Sequence, residues 1–215
     1  MGEPPEEDLV VLVPGRDEQA ALEGLLSRPE ALGIRRVRPV FQRHADRDAG
    51  CLLEAHKFLR HQARRFRHAL VVFDRVGCGR EPRSREELEA EVEARLSAAG
   101  WEDRAAAVVI DPELEAWVWS DSPHVAEQLG WAGRQPPLGK WLCGQGLLTE
   151  GQVKPRDPKE AVYRALREAG KRRSSAIYAQ LAETVGLSRC VDPAFAKLRE
   201  VLLRWFAADR PASGH

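Results

Sequence analysis

This sequence has no excess of charge, few sulfur residues and no long apolar run. Lys and Arg together number 33 and so do Asp and Glu. A neutral chain is not a bulk electrostatic binder of nucleic acid, so any such binding must come from a local basic stripe. The four cysteines, Cys51, Cys78, Cys143 and Cys190, are widely spaced. With no C-x-x-C pair and no histidines at zinc-ligand spacing, they read as reduced thiols rather than a zinc site. No apolar segment approaches the roughly 20 residues that span a bilayer. The opening MGEPPEED is acidic where a signal peptide is basic, so the expectation is a soluble cytoplasmic protein without membrane contact. Internal repeats and long low-complexity segments are lacking too.

What is present is a recurring unit: a short apolar run, a turn with a carboxylate, then a helix. Leu9–Val13 (LVVLV), Ala69–Phe73 and Ala106–Ile110 are short, apolar and rich in β-branched residues, which predicts buried strands. Val37–Phe41, interrupted by Arg38 and Pro39, predicts a shorter strand near an edge. Helical spacing follows each run: through Leu22, Leu25 and Leu26, from Cys51 to Phe66, and from a capping box at Ser84-Arg85-Glu86-Glu87 to about Ala99. Alternating strands and helices with short connections predict an α/β fold with a parallel sheet of about four strands flanked by helices. Asp157-Pro158, Ser174 or Ser175, and Asp192-Pro193 then start three helices. The chain divides into an α/β core at 1–121, a Trp/Pro/Gly-rich cover segment at 122–150 and a helical C-terminal part at 151–215.

Carboxylates fall where strands end, the edge at which open parallel sheets bind ligands. Asp17 and Glu18 follow the first run and Asp74 closes the third, before Gly77 and Gly79, which allow close backbone approach. In IDPELEAWVWSD, Asp111 is expected to cap a helix with Pro112 at its first position. That helix would place Asp111 and Glu115 on one side, Leu114, Trp117 and Val118 toward the core and Glu113 on another face. Such residues suit Mg²⁺ or phosphate binding. They also suit a plain complement to the helix dipole, worth about 0.3–1 kcal/mol each. Two basic stretches stand out as phosphate-binding candidates: Lys57, Arg60, Arg64 and Arg67, and the run Lys171-Arg172-Arg173 before a helix N-terminus. Solvated surface accounts for either. His56, His61 and His68 lack the i, i+4 spacing of a helical metal pair.

VVLVPGRDE, ALVVFDRVG and IDPELEAWVWSD, with the later KPRDPKEAV, the Ser174–Tyr178 segment and DPAFAKLREVLLRW, resemble the Toprim-like proteins of unknown function found in phage-defence loci. These are distantly related to the overcoming-lysogenization-defect nucleases. Within that group the chain looks similar to a small subunit of the methylation-associated defence systems of bacteria. The resemblance covers most of the chain. It implies a Toprim-type parallel sheet whose carboxylates hold Mg²⁺ for phosphodiester chemistry, with other defence subunits and nucleic acid as partners. Carried over, it makes Asp74, Glu113, Glu115 and Asp121 metal candidates and Glu18 and Glu115 catalytic candidates. Two departures stand out. Pro14 replaces the Glu expected after the first strand, and Asp74-Arg75-Val76 replaces Asp-x-Asp, so that Arg75 is expected to compete for Asp74. These departures predict an accessory module with a degenerate, weakly Mg²⁺-binding site, the alternative being a Mg²⁺-dependent DNA nuclease.

Overall fold

The structure, a computed structural model, describes residues 7–187, 190 and 192–208. Four strands form one sheet: β1 (Glu7–Val13), β2 (Pro39–Arg43), β3 (Phe66–Asp74) and β4 (Ala105–Ile110). Their spatial order is β2-β1-β3-β4 and every pairing is parallel. Leu9–Val13, Ala69–Phe73 and Ala106–Ile110 are at most 1% exposed, as their unbroken apolar character requires when both sheet faces are covered. Because side chains alternate, each strand feeds two cores. Val10, Leu12, Val71, Phe73, Ala107 and Val109 pack under α3 (Arg47–Leu59) and α4 (Arg85–Leu96). Leu9, Val11, Val13, Leu70, Val72 and Val108 point the other way. They meet α1 (Arg16–Leu26), the one-turn α2 (Pro29–Leu32) and the C-terminal helices. Burying each Val or Leu contributes about 1.5–3 kcal/mol.

After β4 come two short helices, α5 (Pro123–Gln128) and α6 (Leu138–Gly144), then α7 (Pro158–Glu168), α8 (Ser175–Thr184) and α9 (Pro193–Phe206). These C-terminal helices share the sheet's second core rather than forming a separate layer. Trp119 Nε1 donates to the Pro158 carbonyl and Trp131 Nε1 to that of Ala165, which pins α7 to the segments that precede it. Against α1, α8 comes close because Gly24 has no side chain; a Cβ there would lie 2.6 Å from the Ala179 carbonyl. Arg28 then caps the end of α8 by donating to the Ala182 and Val185 carbonyls.

The sheet's two edges differ. The outward N–H groups of Ala107 and Val109 on β4 donate to the carboxylates of Glu93 and Glu89. Lys197 of α9 bridges that pair at 2.8 and 3.1 Å. Side chains thus close the β4 edge to any further strand. At the opposite edge lies the half-exposed β2.

Three expectations need correction. The helix expected over 51–66 runs instead from Arg47 to Leu59, because Phe66, fully buried, begins β3; Arg67 is therefore a strand residue. No α-helix starts at Asp111. Glu113 has extended backbone (φ −162, ψ 169), which interrupts helical geometry, and only a one-turn 3-10 helix, Leu114–Trp117, follows. Asp111 accepts from Arg75 instead of capping. Trp117 is half-buried at a cavity wall, its Nε1 donating to Asp192 at 3.0 Å, while the buried indole of the motif is Trp119, at 5% exposure. The edge strand is confirmed, displaced to Pro39–Arg43.

Candidate functional site

The chain leaves β1 toward β2 on one side, and β3 lies on the other, so the crevice beyond the carboxyl ends of β1 and β3 is the topological switch point of the sheet. A cavity of 920 Å³ opens there. Every strand connection delivers a carboxylate to it: Asp17 and Glu18 from the start of α1, Asp48 from the start of α3, Asp74 from the last residue of β3, and Glu115 from the turn after β4.

These carboxylates press on one another. Burial, followed by the charges of Asp48, Asp17 and Glu115, pushes the Glu18 carboxyl up to about 7. Asp74 is driven well above the usual range by burial and by the charges of Glu18, Asp48 and Glu115. Burial raises Asp48 as well. One oxygen of Asp48 accepts the Asp74 backbone N–H at 2.9 Å, locking the two acids side by side. Asp74 Oδ1 is buried and has no hydrogen-bond partner. An unpartnered buried oxygen carries a desolvation cost of about 1–3 kcal/mol, which a cation in the cavity would relieve. Gly15 makes room for the cluster, since a Cβ there would sit 2.9 Å from Glu18 Oε2.

Cations ring this acidic centre. Arg16, Arg43, Arg47, Lys159 and Arg173 all line the cavity. Arg173 pairs with Asp17, lies 3.9 Å from Glu115 Oε1 and sits over the Tyr163 ring. Ser175 lines that wall as well, its hydroxyl donating to Asp17 at 2.6 Å, while the buried Tyr178 hydroxyl donates to Glu115 at 2.7 Å. The helical C-terminal part therefore builds one side of the site.

The structure brings Glu18, Asp74, Glu115 and Arg173 of the expected residues together. Glu113 turns away and pairs with Lys159. Asp121 is exposed and lines a different, largely apolar cavity of 590 Å³. Lys57, Arg60, Arg64 and Arg67 lie around the end of α3 and the start of β3 and do not line this cavity. Lys171 donates to the Gln128 carbonyl, and Arg172 is exposed. The expected competition between Arg75 and Asp74 is overturned: Arg75 Nε donates to Asp111 at 2.8 Å and its Nη1 to the Glu81 carbonyl. Asp48 is not among the residues that the sequence singles out, although ADRDAG places acids at a helix start just after a strand, the same pattern that Asp17 and Glu18 show.

Among the described residues, no three His, Cys, Asp or Glu side chains are already gathered as a metal-binding group. The donor chemistry nonetheless fits a hard divalent cation: the acids offer oxygen only, and Asp74 contributes a buried oxygen without a partner. No protein-family model, curated protein or solved structure matches this chain.

Proposed function

We propose that the chain is a divalent-cation-dependent phosphodiesterase of Toprim-like kind that acts on nucleic acid, as a component of a bacterial anti-phage assembly. The observation that carries the chemistry is the convergence of Glu18, Asp48, Asp74 and Glu115 on one cavity at the sheet's switch point, inside a ring of arginines. The defence setting rests on the motif resemblance alone. Asp48, Asp74 and Glu115 would hold Mg²⁺, which when bound neutralises charge on a phosphoryl oxygen and lowers the pKa of a bound water. Glu18, with its carboxyl near 7, suits the proton-transfer role, because a general acid or base works best near the ambient pH. Arg16, Arg43 and Arg47 would hold phosphate oxygens, and Tyr178 fixes the orientation of Glu115.

A second reading, a binding module with a degenerate metal site, is favoured by one observation. Asp17 and Glu113 are already neutralised by the chain's own Arg173 and Lys159, which leaves fewer free carboxylates for an ion. Supercoiled-plasmid nicking by the purified chain in Mn²⁺ or Mg²⁺ separates the two. The phosphodiesterase reading expects cleavage that is abolished in Asp74→Asn and reduced at least 100-fold in Glu18→Gln. Wild-type protein that leaves the plasmid intact in either metal would favour the binding module.

A further inference from the structure

We infer that the β2 edge of the sheet is a landing track for single-stranded nucleic acid, leading into the acidic cavity. The inference rests on the proposed phosphodiesterase reading for its direction, but its physical basis is separate. Between Ile34 and Arg47 the sequence IRRVRPVFQRHADR carries five arginines against a single acid, Asp46, a local excess in a chain of zero net charge. Arg35 is spent internally, on Asp8. Arg36, Arg38, Arg43 and Arg47 are exposed, as is Arg16 on the neighbouring α1. None of these five guanidinium groups forms an ion pair with a carboxylate of the described residues.

Their order along the fold gives the track a direction. Arg36 and Arg38 precede β2, Arg43 is its last residue, and Arg43, Arg47 and Arg16 line the mouth of the cavity. From Arg38 to Arg43 an extended chain covers about 16 Å, enough to run alongside several successive phosphates of a nucleic-acid strand. Arginines on an edge strand also deter edge-to-edge pairing. That role accounts for Arg43, and for Arg38 just before the strand, but not for Arg16 and Arg47, which come from two helices and line the same opening. Arg47 reaches it from an unusual left-handed backbone (φ 49).

An aromatic pair marks the track as one for unpaired bases. Phe58 is 40% exposed, one of the few large apolar side chains at the surface, and its ring lies 5.2 Å from that of His44. His44 lines the cavity and is seated there by Gly50, where any Cβ would strike its Nδ1 at 1.9 Å. A half-exposed ring beside a row of arginines is the arrangement by which proteins hold single strands: bases stack, and phosphates meet cations. A duplex, with its bases already stacked, has no use for Phe58.

The test measures binding of the full chain to a fluorescent 20-nucleotide DNA single strand, and to the duplex of the same sequence, by anisotropy in EDTA. Without divalent metal, the reading is independent of cleavage. Single strand should bind at least tenfold more tightly than duplex. Arg36→Ala/Arg38→Ala/Arg43→Ala should weaken it at least tenfold and reduce the slope of log K against log salt by about 2, at about 0.7 per phosphate contact. Phe58→Ala should weaken single-strand binding five- to tenfold and leave duplex binding unchanged. Arg199→Ala, exposed on α9 at the β4 side of the sheet, should match wild type. Equal affinity for duplex, or a β2-edge triple variant that melts and binds like wild type, overturns the track. Intact EDTA-phase binding in a chain that never cleaves DNA would instead overturn the phosphodiesterase reading alone.

Discussion

Replacing Glu18 by Gln should make the protein more stable, not less. The folded state raises the Glu18 carboxyl from its ordinary value of 4.5 to about 7, through burial and the neighbouring charges of Asp48, Asp17 and Glu115. Below pH 4.5 the group is protonated both folded and unfolded, and it imposes no penalty. As pH rises toward 7 and beyond, the unfolded chain releases the proton readily while the folded chain must ionise against its surroundings, so stability falls across that window. The full penalty above pH 7 is about 3 kcal/mol. Gln keeps the shape of the protonated acid and cannot ionise, so Glu18→Gln should recover most of it. For a chain of this length, that is about 2–4 °C per kcal/mol, or about 6–12 °C in Tm at pH 8. Thermal melts in EDTA at pH 4.5, 6, 7 and 8 read it directly. The two proteins should coincide at pH 4.5 and diverge as pH rises. A variant equal to or less stable than wild type at pH 8 would mean that Glu18 is not held among like charges.

Two further expectations test the scaffold that carries the site. Glu89→Ala should cost about 3–5 kcal/mol in urea unfolding, because it strands the Val109 N–H and leaves Arg85 and Lys197 without a buried partner; a loss under 1 kcal/mol would show that the β4 edge does not depend on this carboxylate. Trp119→Ala should cost about 3–5 kcal/mol, the range for truncating a buried aromatic, and the half-buried Trp117→Ala clearly less, an order that equal losses would contradict.

Most of the architecture was legible because it rests on local patterns. LVVLV, ALVVF and AVVI contain no polar residue, and only a strand covered on both faces suits them; Ser84 with Glu87, Asp157 and Asp192 announced helices whose caps form as expected. What failed depended on contacts made at a distance. Ala63 and Phe66 continued the helical spacing of α3, yet Arg104 holds the Ala63 and Phe66 carbonyls in the turn that enters β3. Asp111 had the form of a cap until Arg75, from another strand end, claimed it. The site was half visible: Glu18, Asp74 and Glu115 each follow a buried run, but no linear pattern announced that Asp48 would reach the Asp74 backbone, or that far along the chain Arg173 would line the same cavity and Tyr178 would hold Glu115. Glu113 and Glu115 were both metal candidates by resemblance, although helical spacing already set them on different faces. Lys159 and Tyr178 send them to different tasks.

The central claim is that the carboxylates at the switch point hold a divalent cation, and calorimetric titration of the purified chain with Mn²⁺ at pH 7.5 tests it most directly. The account predicts saturable binding, lost or weakened at least tenfold in Asp74→Asn and in Asp48→Asn but retained in Glu113→Gln, whose carboxylate is committed to Lys159. Absence of binding, or binding that survives both aspartate substitutions and disappears with Glu113→Gln, would contradict it.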